Sequence, residues 1–269
     1  MGEQSNMDPP LVGGAPAHTV TLSSYYMAQK EVTYGEWQTT YSYAITNGYG
    51  FSNVGSGKAA DHPVHTISWH DAVKWCNARS RQEGLQACYV LNTQNGAEFK
   101  TGTPGNIYCN FTRNGYRLPT ESEWENAARG GAVGLNFPWG NTITHSNANY
   151  TSDTFYAYDV SPTRGAHPLW RTTGNPKTSP GGSFPANGYG LYDMTGNVKE
   201  WCYDQEGPYP DSGAVNPIGP EEGSAFATRM LRGGSWFAYA NHALIATRIN
   251  QEPIVTSQDF GFRVARSSL

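Results

Sequence analysis

Histidine and cysteine, the residues that most often bind metals or act as nucleophiles, occur here in spacings that favour neither role. His62 and His65 are three residues apart, as in a metal-binding pair. Pro63 lies between them and disfavours a helix that would place both rings on one face. We therefore interpret both histidines as packing or surface residues.

The cysteines are also poor candidates for a metal site. No two of them have the CxxC spacing of a zinc site. Two of them can pair across a predicted hairpin, Cys88 with Cys109. The alternative, which we favour, is that all four are buried thiols. The four are Cys76, Cys88, Cys109 and Cys202.

Several charged residues could serve as acids and bases. A fold with few regular elements needs side chains to satisfy its backbone polar groups. We therefore interpret this set as ion pairs and hydrogen bonds that tie loops to the core, rather than as catalytic pairs. Its members are Arg117, Glu121, Glu123, Arg129, Arg232 and Arg263.

The chemistry that the sequence favours is binding, by a C-terminal segment of 24 residues, 237–260. Strands are predicted on both sides of it, in 229–236 and 261–266. The segment itself has no helical or strand period, and a connection that long without a pattern is usually functional or disordered. It holds too many large apolar residues for a solvated linker.

The residues of this C-terminal segment are a mixture of aromatic, aliphatic and polar types, which is typical of paratopes. Apolar residues grouped on a surface usually mark an interaction site. The alternative is that they are core residues of a long loop. The candidate ligand-binding residues are Phe237, Ala238, Tyr239, His242, Leu244, Ile249, Gln251, Glu252, Ile254, Val255, Gln258 and Asp259.

Composition narrows the class of protein. The chain has 269 residues, 31 glycines, 17 prolines, 13% aromatic and only 15% charged residues, which predicts a loop-rich fold pinned by aromatic side chains. A net charge of −4 argues against a nucleic-acid or anionic-membrane partner. No apolar run reaches the roughly 20 residues of a membrane span, and no secretory leader is visible.

One domain, residues 18–269, is expected after a disordered segment, residues 1–17. Residues 19–27 alternate in polarity and predict a strand, and 86–112 predict a hairpin. Residues 132–230 predict short strands and long ordered loops. Three capping boxes predict three helices, which end near Gly48, Gly84 and Gly130. The boxes are Thr33 with Glu36, Ser68 with Asp71, and Thr120 with Glu123.

Five motifs carry a family resemblance. They are residues 116–131 (YRLPTESEWENAARGG), 137–140 (FPWG), 187–201 (NGYGLYDMTGNVKEW), 232–236 (RGGSW) and 261–263 (GFR). From about residue 19 to its end, the chain resembles the formylglycine-generating enzyme (sulfatase-modifying factor) family. The resemblance implies an α+β fold of C-type-lectin-like type, with few helices, small twisted antiparallel sheets and much ordered loop.

The enzyme of that family oxidises a substrate cysteine with two copper-binding cysteines, two and seven residues after the aromatic residue of the Gly-Gly-Ser-aromatic motif. Ala238 and Ala243 stand at those places, and no cysteine occurs in 203–269. Because copper(I) needs thiolate ligands, we expect no catalysis and no catalytic cofactor. The alternative is a copper- or iron-dependent oxidase of this type that acts on protein cysteine with other ligands.

The C-terminal segment also resembles the variable region of proteins diversified by retroelements, in which the changed positions fall between the same two motifs. This resemblance implies a non-catalytic, receptor- or adhesin-like protein that binds a protein ligand or a host surface molecule. It also implies a position at the cell surface or outside the cell, with any lipid anchor lying beyond this sequence.

A structural calcium site is implied by the same family resemblance, at Asp193, Gly196, Val198 and Glu200. Two carboxylates and two backbone carbonyls on a tight glycine turn suit this oxygen-binding cation. The alternative is that Asp193 caps a turn and Glu200 pairs with Lys199 or an arginine. A lectin that binds sugars through calcium is a third functional alternative.

Overall fold

The computed structural model describes residue 1 and residues 17–209, 212–220 and 228–268. Most of the segment expected to be disordered, residues 2–16, lies outside the described residues. Within them, the α+β class with few helices and much loop is confirmed. No helix among the described residues is long and apolar enough to cross a membrane.

Three α-helices and one short 3-10 helix connect twelve short strands in this part of the chain. The helices are α1 (Tyr34–Thr46), α2 (Trp69–Gln82), α3 (Glu121–Arg129) and the 3-10 helix Ala240–Ala243. The strands are β1 (Val20–Thr21), β2 (Tyr25–Met27), β3 (Tyr89–Leu91), β4 (Ile107–Cys109), β5 (Thr151–Ser152), β6 (Gly165–Ala166), β7 (Lys199–Gln205), β8 (Ala214–Val215), β9 (Arg229–Arg232), β10 (Ile249–Gln251), β11 (Phe260–Gly261) and β12 (Ala265–Ser267).

All three predicted capping boxes are present and begin the three α-helices. At α3, the Thr120 hydroxyl accepts a hydrogen bond from the Glu123 amide at 3.1 Å. The Glu123 carboxylate accepts one from the Thr120 amide at 2.9 Å. The helix ends where Gly130 takes a φ of 57°, a left-handed conformation that favours glycine.

The largest sheet has four strands in the order β10-β9-β7-β11, and three of the four come from the C-terminal 41 described residues, 228–268. Strand β12 is not part of this sheet. It pairs with β2 near the N-terminus. The expected antiparallel pairing holds for most pairs, but β11 pairs with β7 and β1 with β8 in parallel. Sequence periodicity missed β10, which lies inside the C-terminal segment.

Tryptophans pin the irregular backbone, as the composition predicted. The indole NH groups of Trp37, Trp69, Trp75 and Trp201 each donate to a backbone carbonyl, at 2.9 to 3.3 Å. Phe262, from the last motif, packs edge-on against Trp37 and Trp75 with centroid distances of 6.1 and 5.4 Å. The main core therefore includes a residue that follows the C-terminal segment.

All four cysteines are buried and unpaired. Cys109 lies in β4 and Cys88 immediately precedes β3, so the two are neighbours in the predicted hairpin without being bonded. Of the two alternatives left by the sequence, the buried-thiol interpretation is the one that the structure supports.

A buried carboxyl group gives folding stability a specific dependence on pH. Burial, together with the charge of Glu121, raises the pKa of Asp204 to about 8. Because the folded-state pKa lies above the unfolded value of about 4, the contribution of this group is complete below pH 4 and is lost as the pH rises through 8.

We therefore expect the free energy of unfolding to fall as the pH rises from 4 to 8, by up to about 1.4 kcal/mol per pH unit, and to level off above pH 8. Urea denaturation at several pH values measures this. Asp204→Asn should flatten the profile, and an unchanged slope in this variant would show that another group is responsible.

Candidate ligand-binding surface

A buried arginine holds the backbone of the C-terminal segment. Arg232, in β9, is fully buried and donates to the carbonyls of Ile245, Ala246 and Thr247 at 2.9, 3.3 and 2.8 Å. Glu125 of α3 accepts from the same guanidinium at 2.7 Å. Backbone carbonyls are the same whatever the side chain, so these bonds do not depend on which residues occupy 245–247.

Other parts of the domain, called the frame below (residues 17–209, 212–220, 228–236 and 261–268), bind further carbonyls of the segment. The donors include three backbone amides and one indole, at 2.9 to 3.2 Å. The amides of Thr151, Trp69 and Thr66 bind the carbonyls of Ala238, Pro253 and Ser257, and the Trp236 indole binds that of Gln258. The segment is therefore fixed at both ends and in its middle.

The first residues of the segment alternate between the inside and the outside. Phe237 and Tyr239 are 69% and 44% exposed, whereas Ala238 and Ala240 are buried. This is the pattern of an extended backbone, in which successive side chains take opposite sides. Small residues therefore face the frame, and aromatic residues are displayed.

The structure sorts the twelve predicted binding residues into three groups. Ile254 is 58% exposed, and Phe237, Tyr239, Glu252 and Gln258 are exposed as well. A second group is partly buried. It consists of His242, Ile249, Gln251 and Val255.

For three residues the prediction of exposure is wrong. Leu244 is 2% exposed because it packs in a cluster with Phe137, Ile143 and Tyr150. Ala238 is 9% exposed because it takes the inner side of the alternating stretch. Asp259 is 5% exposed because its side chain points into the polar interior of the domain.

Asp259 anchors the end of the segment. Its carboxylate accepts from the Lys199 ammonium at 2.6 Å and from the Ser235 hydroxyl at 2.8 Å, and Ser257 donates to it as well. Burial opposes ionisation, but Lys199 and the hydroxyl donors outweigh it and lower the pKa of Asp259. The carboxylate is therefore charged and structural.

The two alanines at the places of the family's cysteines are both buried, Ala243 at 1% and Ala238 at 9% exposure. Ala243 packs with Ala240 and Leu244 in the cluster beneath the segment. Neither methyl group can bind a metal or form a thiolate. Cys202, in β7, is buried, and burial raises its pKa well above the ordinary value.

The predicted calcium residues lie in a buried acidic cluster. Both oxygens of Glu200 bind the Arg263 guanidinium at 2.6 Å, which is the ion pair that the sequence offered as an alternative. Asp193 accepts from the Gly182 amide with one oxygen at 2.5 Å. Its other oxygen is buried and has no partner among the described residues.

Asp193 belongs to a group of buried acidic side chains. Glu31 is 1% exposed and lies near both Asp193 and Glu200, so three carboxylates surround one guanidinium. Burial raises the pKa of Asp193 to about 6. The described residues contain no group of three or more His, Cys, Asp or Glu side chains arranged around a metal position, but the predicted set needs only two carboxylates.

The structural interpretation of the remaining charged residues and histidines is supported. Arg117 forms two hydrogen bonds with Glu123 at 2.6 and 2.7 Å, inside the protein. His62 and His65 are buried, and each ring binds a threonine hydroxyl, at 2.9 and 2.8 Å. These groups hold the frame together.

Sequence reasoning missed a frame loop beside the segment, residues 153–160. It follows β5, whose Thr151 binds the segment through its amide, and it carries Phe155, which is 79% exposed. The signal available in the sequence was an aspartate two residues before an exposed aromatic, a typical side-chain-capped turn. The Asp153 carboxylate accepts from the Phe155 amide at 2.8 Å.

Comparison with known proteins places this geometry in a family. The sulfatase-modifying factor enzyme 1-like domain matches residues 1–268. Chaperone protein LppX of Paenibacillus barcinonensis is 32% identical over 92% of this chain and 82% of its own length. Formylglycine-generating enzyme of Streptomyces coelicolor is 30% identical over 100% of this chain and 86% of its own length.

Among solved structures, Treponema denticola variable protein 1 is similar with a TM-score of 0.70 and 29% identity, covering 94% of this chain and 87% of its own. The fold is thus one shared by catalytic and variable proteins. The chain belongs to the sulfatase-modifying factor enzyme 1-like family, as its motifs indicated.

The exposure of the segment's side chains gives a stability prediction. A triple variant, Phe237→Ser, Tyr239→Ser and Ile254→Ser, should change the free energy of unfolding by no more than about 0.5 kcal/mol per site, because surface substitutions cost little. Leu244→Ala should cost about 2–5 kcal/mol, because it removes a buried side chain. Urea denaturation measures both, and a triple variant as unstable as Leu244→Ala would contradict the assignment of exposed positions.

Proposed function

We propose that this protein is a non-catalytic, receptor- or adhesin-like binding protein that displays a retroelement-diversified surface on a rigid frame. The observation that supports this most is that the backbone of residues 237–260 is held in place while several of its side chains are exposed. Frame groups bind their backbone carbonyls, while Phe237, Tyr239 and Ile254 are exposed. A fixed backbone limits the entropy lost on binding, so side-chain identity decides the partner.

In this proposal the partner is a protein ligand or host surface molecule met at the cell surface or outside the cell. Exposed aromatic side chains supply large contact areas at low entropic cost, and Gln251, Glu252 and Gln258 supply adaptable hydrogen bonds. The structural likeness to a variable protein supports this assignment.

The second candidate is an oxidase of the formylglycine-generating type, which is favoured by the 30% identity to such an enzyme over the whole chain. Ala238 and Ala243 argue against it, because copper(I) chemistry requires thiolates at those places. Incubation with a cysteine-containing sulfatase peptide, oxygen and added copper or iron separates the two functions. We expect no aldehyde by mass spectrometry, and catalytic turnover would remove the binding proposal.

A display library tests the binding proposal directly. Randomising Phe237, Tyr239, Gln251, Glu252 and Ile254 on yeast should leave surface display near that of the parent, because these side chains lie outside the core. Selection against hen lysozyme as a probe should then recover binders. A matched library at Ala240, Ala243, Leu244 and Thr247 should lose display, since these residues are buried. Loss of display in the first library would contradict the proposal.

Diversification itself has a genomic test. We expect a nearly identical DNA copy of the 3′ end beside a reverse transcriptase gene, differing only at adenines. A genome without that copy would remove diversification from the proposal.

We also propose that Asp193 and Glu200, with carbonyls of Gly196 and Val198, bind a structural calcium ion. The unpartnered buried oxygen of Asp193 supports this site. Calcium at 100 times its Kd should raise the free energy of unfolding by about 2.7 kcal/mol. Thermal denaturation with calcium and with EGTA measures the effect, and Asp193→Asn should abolish it. Equal melting temperatures under both conditions would rule the site out.

A further inference from the structure

The exposed apolar surface does not stop at the end of the C-terminal segment. Tyr239 forms an isolated parallel bridge with Thr151 of β5. The Thr151 amide donates to the Ala238 carbonyl at 2.9 Å, and its hydroxyl donates to the Trp236 carbonyl at 3.1 Å. The frame loop that follows β5 therefore starts in direct contact with the most exposed part of the segment.

This frame loop, residues 153–160, carries its own aromatic residues. Phe155 is 79% exposed, more than Phe237 or Tyr239. Tyr156 is partly buried and packs on the cluster that contains Leu244, the residue beneath the segment. Burial and the charge of Asp153 raise the pKa of Tyr156, and the Tyr239 phenol contributes in the same direction.

A single buried carboxylate makes the loop rigid. Asp159 is 4% exposed and accepts from the Tyr150 hydroxyl at 2.6 Å, the Ser152 hydroxyl at 3.0 Å and the Asp153 amide at 2.8 Å. Arg164 donates to the same carboxylate at 3.2 Å and to the Asp153 carbonyl at 3.1 Å. An exposed aromatic on a backbone held in this way loses little entropy when a partner binds.

The charges of the two segments, 151–164 and 237–260, are unbalanced. Their two arginines are each paired with a buried carboxylate, Arg164 with Asp159 and Arg248 with Glu121. Their acidic residues include the partly exposed Asp153, two residues before Phe155. Next to the aromatic rings, the surface thus carries a carboxylate that forms no ion pair with another described residue, and both features attract lysine and arginine side chains.

We infer that Phe155 and Tyr156 of the frame join Phe237 and Tyr239 in one binding surface, and that this surface takes a protein partner with an apolar side chain flanked by lysine or arginine. The inference rests on the proposed function and extends it. In this inference Phe155 and Tyr156 of the frame contact every partner, whereas the residues of the C-terminal segment decide which partner binds. Fixed aromatic anchors beside variable contacts are consistent with the way binding energy concentrates on a few aromatic residues.

A phage-displayed library of random 12-residue peptides is the probe for this surface. Selection on the intact protein should enrich peptides that combine an aromatic or aliphatic residue with lysine or arginine. Phe155→Ala and Tyr239→Ala should each weaken binding of the enriched peptides, made synthetically, at least tenfold. Tyr26→Ala is the matched control, because Tyr26 is an aromatic residue 65% exposed in β2, which belongs to another sheet, and it should leave binding unchanged.

Charge is tested separately from the rings. The variant Asp153→Asn keeps the side-chain-capped turn at Phe155 and should weaken binding at low salt by several-fold, with less effect at high salt. Thermal melting of all variants should match the parent, since every substituted side chain is at least partly exposed.

The outcomes separate this inference from the proposed function. If Tyr239→Ala weakens binding and Phe155→Ala does not, the inference that frame residues belong to the binding surface is wrong, and the proposed function stands. If neither variant matters, or if no peptide is enriched, both fail. Enrichment of acidic or uncharged peptides, or binding only to a glycan array in a Phe155-dependent manner, would overturn the assigned partner chemistry.

Discussion

The structure depends on a buried guanidinium that binds three consecutive backbone carbonyls. Burial alone would lower the pKa of Arg232, but Glu121 and Glu125 outweigh that effect and keep the group charged. A charged donor in a low-dielectric interior makes strong hydrogen bonds. Because Arg232 binds carbonyls 245–247, it fixes the path of the segment through backbone groups. The exposed side chains of the segment thus stand on a backbone that a buried charge holds in place.

The same frame accommodates two kinds of protein because its motifs and its reactive positions are separate. The glycines and arginines of the motifs set the backbone, and the residues at 238 and 243 only fill the space beneath it. With alanine at both places, these positions contribute small buried methyl groups to the packing. This separation explains how one chain resembles both a formylglycine-generating enzyme and a variable protein over nearly its whole length.

The sequence was a good guide where the signal is local. Capping boxes at Thr33, Ser68 and Thr120 depend on neighbouring residues only, and each begins a helix. It was a poor guide where the partner is distant. Strand β10 forms because β9 lies beside it, and Asp259 is buried because Lys199 is available 60 residues earlier. Leu244 and Ile254 are both aliphatic residues in one unpatterned segment, and only the frame around them makes the first buried and the second exposed.

The order of the strands has a consequence for chains that are truncated or frameshifted within the C-terminal segment. Phe262 and strand β12 come after the C-terminal segment, and strand β11 begins at its last residue. These three features complete the tryptophan core, the pairing with the N-terminal strand β2 and the largest sheet, respectively. A frameshift or stop codon anywhere in 237–260 deletes all three. Such a chain leaves its core open and is exposed to proteolysis, so the fold acts as a check on reading frame.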